Sequence, residues 1–284
     1  MNPYLDISVV IPAYNSGAYI EETLTSVLRQ TISPLEVIVI DDGSMDETSN
    51  IVDNYAQANP ELRLHLIHSK HLGPGGARNL GIERARGEWI AFLDSDDLWF
   101  PTKLEAVASC HQSNNACNFF CHNELHRRLN GTEVVLDYAA DYSRNDSLTR
   151  QLFRRNCFST SAVVCKRSIL IAAGLFDSTL PNAQDYELWI RMSPTIRVHF
   201  IQETLGVYVD RAGNITSTSH WSRYLNVIKI INKHRELVNS LLYIRAIAGI
   251  SISYLRHWRF RSSLETLWRY MKIIENTRGP NHKH

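Results

Sequence analysis

Residues 94–97 read Asp-Ser-Asp-Asp, directly after the apolar run Trp89 to Leu93 and directly before Leu98-Trp99-Phe100. Three carboxylates crowded at the end of a buried strand repel one another, and a bound cation removes that cost. Mg2+ and Mn2+ want hard oxygen ligands, commonly one or two carboxylates plus substrate phosphates. Asp94 and Asp96 flank a single residue, so a tight turn can aim both at one ion. The plainer alternative is a solvated acidic turn in which Asp97 caps the following helix.

Other polar clusters carry weaker signals. Asp41-Asp42-Gly43-Ser44 can be a turn and helix start, or Asp42 can accept from a base imide or ribose hydroxyls. Gly73-Pro74-Gly75-Gly76, followed by Arg78-Asn79, is either a simple loop or an anion site at a helix N-terminus, with Arg78 reaching a pyrophosphate. Asp185 stands where a helix N-cap or first-turn acid would. There is no GxGxxG after the first apolar run and no GxxxxGK[ST] anywhere, which argues against dinucleotide binding and P-loop chemistry.

The elements that must position these groups follow from periodicity. Ile7 to Ile11, Leu35 to Ile40, Leu62 to Ile67 and Trp89 to Leu93 are short apolar strand-like runs. Ala18 to Gln30, Glu47 to Ala58 and Gly75 to Arg86 have helical spacing between them. That alternation predicts an α/β fold with a Rossmann-like, mostly parallel sheet flanked by helices, which binds ligands beyond the carboxyl ends of its strands. Each polar cluster follows a strand, so they are expected in one cleft. The second half is less regular. Asn118 to His122, Ala162 to Cys165 and Val198 to Val209 read as strands and Gln184 to Met192 as a helix. Asn123 to Ser147 reads as loop with a short strand at Val134 to Leu136.

The chain of 284 residues, 44% hydrophobic and 21% charged, can bury a sizeable core. Residues 1–222 carry 18 Lys+Arg against 26 Asp+Glu, and residues 223–284 carry 12 against 3. Net charges of −8 and +9 suggest an acidic body at 1–222 and a basic helical extension at 223–284. Aromatic residues and a methionine interleave with the basic ones, at Trp258, Phe260, Trp268, Tyr270 and Met271 among Arg256, Arg259, Arg261, Arg269 and Lys272. Such a tail can lie on an anionic membrane, or pack against the acidic body or a second subunit in a homodimer. The N-terminus lacks a basic n-region, and the longest uncharged run of the tail, Ala246 to Leu255, is too short to span a bilayer. Five irregularly spaced cysteines read as free thiols of a reducing cytosol, and Cys117, Cys121 and His122 lack the paired spacing of a zinc site.

In order, SVVIPAYNSGAYIEETLTSVLRQT, VIVIDDGSMDET, GPGGARNLGIERARGEWIAFLDSDD and FDSTLPNAQDYELWIRMS resemble the inverting family 2 of nucleotide-sugar glycosyltransferases, over roughly residues 6–210. The resemblance implies a GT-A fold, with residues 1–115 binding the nucleotide sugar and 116–222 the acceptor. It implies nucleotide contacts from Pro12, Tyr14, Asn15, Asp42, Arg78 and Asp94, and a Mg2+ or Mn2+ cofactor on Asp94 and Asp96. Asp185 inherits the role of the base that deprotonates the acceptor hydroxyl. Two departures stand out. Relatives carry Glu-Asp where this chain has Gln184-Asp185, so the acceptor contact of that glutamate is in question at Gln184. Many carry Tyr-Arg-x-His where this chain has Tyr208-Val209-Asp210-Arg211, so a histidine near the metal is missing and Arg211 could meet a phosphate instead.

The implied activity is transfer of a sugar from a nucleotide diphosphate, most often UDP, to a glycan or lipid-linked hydroxyl. The expected setting is bacterial polysaccharide or glycolipid assembly, in the cytoplasm or at the inner face of its membrane, with no nucleic-acid partner. A nucleotidyltransferase would want a basic glycine-rich loop after the first strand, which PAYNSGAYIEET lacks. A sugar-nucleotide-binding protein without turnover is the other rival; Gln184 keeps it open, while Asp94, Asp96 and Asp185 oppose it.

Overall fold

The structure, a computed structural model, describes residues 5–140, 142–211 and 220–257. The aromatic and basic residues at 258–272 that suggested membrane contact lie outside the described residues. Chain packing divides the protein into two units, Met1–Thr218 and Ser219–His284.

The first unit is built on a nine-stranded sheet in the order β3-β2-β1-β4-β8-β6-β9-β5, with β7 added to β6. Strands β1 (Ile7–Ala13), β2 (Glu36–Asp41), β3 (Leu64–His68) and β4 (Trp89–Phe92) form its parallel part. Every residue of β2 and β4 is buried, and so is every residue of β1 except Pro12. Burial of both faces explains why these strands read as unbroken apolar runs rather than alternating ones. One face receives α1 (Ile20–Leu28) and α2 (Thr48–Ala58), whose Ile20, Leu24, Val27 and Val52 join Val9, Ile11, Val37 and Val39 in the core. Helix α3 (Gly73–Arg84) also packs on β1, so closely that a Cβ on Gly81 would lie 2.4 Å from Val10 Cγ1.

Because β1 lies between β2 and β4, the winding direction of the sheet reverses there, the position at which open α/β sheets leave a crevice. The register pairs Ala13 with Asp41 and Val10 with Phe92. The strand-end clusters at 14–15, 42–44 and 94–97 therefore share one edge.

The second half continues the sheet with reversed pairings. Strand β8 (Val163–Lys166) runs antiparallel to β4, and β6 (Phe119–Arg127) runs antiparallel to β8. Strand β9 (Val198–Val209) is parallel to β6, with register shifts around Asn123. Strand β5 (Leu98–Trp99) closes the edge of the sheet against β9. The stretch read as loop from Asn123 is partly strand: β6 runs on to Arg127 and returns through Gly131 as β7 (Glu133–Leu136). Helix α4 (Lys103–Ser113) starts after Thr102, so Asp97 caps no helix; it is buried, at 2% exposure. Helices α5 (Leu148–Arg154), α6 (Arg167–Ala172) and α7 (Gln184–Met192) complete the unit.

In the second unit, α8 (His220–Lys233) and α9 (Ser240–His257) pair through Tyr224 and Tyr254, with ring centroids 4.6 Å apart. The Tyr243 hydroxyl donates to Asn232 Oδ1 at 2.5 Å. Among the described residues no helix is long and apolar enough to cross a membrane.

The contact at Gly81 sets a test. Gly81→Ala gains up to about 1 kcal/mol of helix propensity, but overpacking a rigid β-branched neighbour typically costs about 1–3 kcal/mol. The variant is expected to unfold at lower urea concentration than the wild type. Equal or higher stability would contradict the close approach of α3 to β1.

Candidate active site

At the end of β1, Pro12 is half-buried in the strand and Tyr14 is 45% exposed. The Tyr14 ring lies 4.4 Å from that of His71, centroid to centroid. Asn15 takes a left-handed conformation (φ 49°), and its side chain accepts from the Met45 N–H at 2.9 Å. Its own N–H donates to Ser44 Oγ at 2.9 Å, so the loops after β1 and β2 are tied together. Gly43 makes the turn after β2 possible, with a φ of 80° that L side chains rarely adopt.

Asp42 is buried, and both its carboxylate oxygens are engaged. Oδ1 accepts from the Leu72 N–H at 2.6 Å and Oδ2 from the Gly73 N–H at 2.8 Å. Ser69 Oγ donates to Oδ1 at 2.5 Å, and His71 Nδ1 lies 3.7 Å from Oδ2. The glycine-rich opening of α3, read from sequence as a loop or as a site for a pyrophosphate, has its first N–H groups bonded to the protein's own Asp42. Arg78, one turn further along α3, is buried and donates from Nη2 to Asp94 Oδ1 at 2.5 Å.

The acids after β4 separate by role. Asp94 and Asp96 keep part of their side-chain surface open, 34% and 25%. Asp97 turns inward, where Oδ2 accepts from Ser161 Oγ at 2.6 Å and Oδ1 from the Val209 N–H at 3.0 Å. Burial pushes the Asp96 carboxyl up to about 6, the Asp94 charge adds to the rise, and Arg211 opposes it. Arg211 follows β9, donates from Nη2 to the Asp96 carbonyl at 3.1 Å, and stacks on Tyr19 with Cζ 3.7 Å from the ring centroid.

Asp185 lies in the first turn of α7 behind Ala183, which is left-handed at φ 57°. Burial raises its carboxyl above the ordinary value and the Asp94 charge adds to this; the Tyr186 N–H and Arg78 oppose it. Asp94, Arg78 and Asp185 therefore act on one another across the cleft. Asn156 Nδ2 reaches Asp185 Oδ2 at 3.5 Å. The helix is held from behind: Arg191 pairs with buried Glu187 at 2.7 Å and donates to the carbonyls of Ala173 and Leu175. Gln184 is buried, donates to the Leu180 carbonyl at 2.7 Å, and packs its Cγ 3.3 Å from where a Gly75 Cβ would stand.

The donor set suits a hard divalent cation. Among the described residues no group of three His, Cys, Asp or Glu side chains could hold a metal by itself. Two carboxylates completed by phosphate oxygens is a pattern Mg2+ and Mn2+ accept, and a cation between Asp94 and Asp96 would remove the repulsion that raises Asp96. Two buried donors, Arg78 Nε and Arg211 Nε, have no hydrogen-bond partner among the described residues. An unpaired buried donor costs about 1–3 kcal/mol, and anionic oxygens would satisfy both. His71, Asn156, Tyr19 and Ser161 are site residues that sequence reasoning did not identify, because each reaches its partner from a distant segment.

Ionised Asp96 is costly in this setting. Its folded value near 6 lies above the unfolded value of 3.8. The stability tied to its proton is complete below the unfolded value and lost as pH rises through the folded one, about 2–3 kcal/mol in all. Asp96→Asn is expected to raise the metal-free melting temperature at about pH 7.5 and to have little effect near pH 4. An equal gain at both pH values would overturn the electrostatic cause.

The profile of glycosyl transferase family 2 matches residues 8–162. WfgD of Escherichia coli, named as a UDP-Glc:α-D-GlcNAc-diphosphoundecaprenol β-1,3-glucosyltransferase, is 32% identical over 192 residues, covering 67% of this chain and 70% of that protein. Several other curated relatives, uncharacterised glycosyltransferases of Rickettsia, are 31–33% identical, and the chain spans only 29–30% of their length. TarS 1–349 of S. aureus in complex with UDP-GlcNAc superposes with a TM-score of 0.67 at 22% identity, over 87% of this chain and 71% of that one. A mannosyltransferase of Pyrobaculum calidifontis with GDP-Man and Mn2+ gives 0.65 at 18% identity, over 95% and 80%. At such identities the likeness speaks for the fold, which is the GT-A fold of those enzymes.

Proposed function

Since the chain belongs to glycosyl transferase family 2, we propose that it is a metal-dependent, inverting glycosyltransferase that uses a nucleotide-diphosphate sugar. The observation that carries this reading is the meeting of Asp94 and Asp96 with two under-satisfied arginines and a raised Asp185 at the switch point of the sheet. The UDP-Glc in the name of WfgD and the UDP-GlcNAc bound to TarS support a UDP-sugar, and the acceptor in the name of WfgD supports a lipid-linked glycan.

Pro12, Tyr14, Asn15 and Asp42 form the base side of the cleft, with Tyr14 offering an exposed ring. Asp94 and Asp96 would hold Mg2+ or Mn2+. When bound, the ion neutralises the diphosphate and stabilises the departing nucleotide. Arg78 and Arg211 flank the acids and can donate to phosphate oxygens. Asp185 takes the proton of the acceptor hydroxyl as its oxygen bonds to the anomeric carbon. The bond from that carbon to the diphosphate breaks in the same displacement, and the configuration inverts. Elevation of the Asp185 carboxyl strengthens it as a base, and Asn156 orients it. Gln184, turned onto Gly75, supports the start of α7 in place of a second carboxylate.

The experiment that tests the whole reading is UDP and UDP-sugar binding by calorimetry with Mn2+ and with excess chelator. Binding is expected with the metal and lost with chelator, and Asp96→Ala should abolish the metal-dependent part. Full donor turnover in chelator would remove the cation from the proposal. Asp185→Asn keeps shape but cannot accept a proton, so kcat is expected to fall by roughly 10²–10⁴ with donor affinity little changed. Collapse of donor affinity instead would make Asp185 part of the nucleotide site.

The basic extension is proposed to rest on anionic lipid. On α9 the outward positions Leu241, Ile244 and Ile252 are exposed apolar residues, in a segment of net charge +9. Full-length protein is expected to co-sediment with anionic but not neutral vesicles, less so as salt rises. Equal sedimentation with neutral vesicles, or none with anionic ones at low salt, would reject the membrane role.

A further inference from the structure

Behind the acidic turn lies a group of buried polar side chains that the transfer reaction does not use: Asp97, Lys103 and Ser161, with exposures of 2%, 0% and 1%. Ionisable groups are costly in such a place, and a well-packed apolar set is often at least as stable. What they bond to gives them a use.

The antiparallel register of β4 and β8 pairs Trp89 with Lys166, Ile90 with Cys165 and Ala91 with Val164. Continued three residues further, it sets Asp94 opposite Ser161. There Ser161 Oγ accepts from the Asp94 N–H at 3.0 Å and donates to Asp97 Oδ2 at 2.6 Å. One hydroxyl therefore bridges the first and last acids of the turn. The peptide carrying that hydroxyl is itself fixed. Its carbonyl accepts from Lys103 Nζ at 2.7 Å and from Trp99 Nε1 at 3.0 Å, and Lys103 Nζ lies 3.5 Å from the centroid of the Trp99 ring.

Asp97 extends the bridge to the opposite wall. Its second oxygen accepts from the Val209 N–H at 3.0 Å, two residues before Arg211. The turn is closed by the Asp97 N–H on the Asp94 carbonyl at 3.1 Å. From the other side, Thr23 Oγ1 contacts the carbonyls of Ser95 and Asp97 at 3.0 Å each. Thr23, Ser161 and Val209 thus hold the turn from three sides.

We infer that Ser161 and Asp97 are positioning residues: a buried clamp that holds Asp94 and Asp96 at a fixed spacing from each other and from the Arg211 end of β9. The inference rests on the reading of Asp94 and Asp96 as cation ligands. Neither residue touches substrate; they act through the backbone of the turn, as partners behind metal ligands do.

The test uses full-length protein with Mn2+ and UDP, and the variants Ser161→Ala and Asp97→Ala. Ser161→Ala removes both side-chain bonds with almost no change of volume. Asp97→Ala removes the bonds to the Ser161 hydroxyl and to the Val209 N–H, so it decides the matter if the first variant does not fold. Mn2+ affinity at saturating UDP is expected to weaken about 10-fold or more in each variant, while UDP affinity in excess chelator stays at the wild-type level. Amide hydrogen exchange at 94–97 in metal-free protein is expected to accelerate, and exchange in β1 to β3 to stay unchanged. A merely structural role would lower the melting temperature without changing Mn2+ affinity, and that result overturns the clamp while leaving the cation site intact. Wild-type protein with no Mn2+-dependent UDP binding overturns the cation reading and the clamp together.

Discussion

Like charges at the end of one strand are the constraint around which the first unit is arranged. Asp94 and Asp96 stand together after β4, and burial plus mutual repulsion raises Asp96. Arg78 from α3 approaches one acid and Arg211 from the end of β9 approaches the other. The sheet order brings both arginines to the same edge: α3 leads into β4, and β9 returns beside β5, which continues from the acidic turn. The crossing chain at β1 leaves the crevice into which these groups face. Each acid has one arginine for a neighbour, and among the described residues the buried Nε–H groups of both arginines have no hydrogen-bond acceptor.

The two halves of the unit contribute differently. The parallel half supplies strand ends with short, rigid loops, tied to one another by Asn15, Ser44 and Met45. The mixed half supplies Asp185 on a helix whose first turn packs against Gly75 and whose last turn is fixed by the Glu187–Arg191 pair. The acidic turn lies at the seam, and its backbone is bonded to α1 on one side and to Ser161 on the other.

Much of this was legible from residue order. Strands β1, β2 and β4 stand out because a parallel sheet covered on both faces needs continuous apolar runs, and ISVVI, LEVIVI and WIAFL are such runs. The acids that follow them are legible because ligand sites of these folds lie at strand ends. Other features lack a local signal. β5 is two residues long, and the continuation of β6 to Arg127 is written in ordinary polar residues. Lys103 looks like any lysine of a mixed helix, and only the packing of α4 brings its Nζ to the carbonyl of Ser161, which bonds Asp94. Asp97, adjacent to the other acids, reads as a third member of their set or as a cap. The fold instead turns its side chain to the interior, where its partners are 64 and 112 residues away in the chain.

The carboxylate of Asp42 on the first N–H groups of α3 has one more consequence. A helix N-terminus presents about half a positive charge, and many nucleotide folds give that charge to a phosphate. In this chain it is already matched by an internal anion, on a segment that also holds Tyr14's neighbour His71. The backbone dipole is thereby assigned to shaping the pocket wall. In the proposed reaction, recognition of a diphosphate would fall to full charges, the guanidinium groups and a bound metal, whose attraction depends on ionic conditions in a way that a helix end buried in the fold does not.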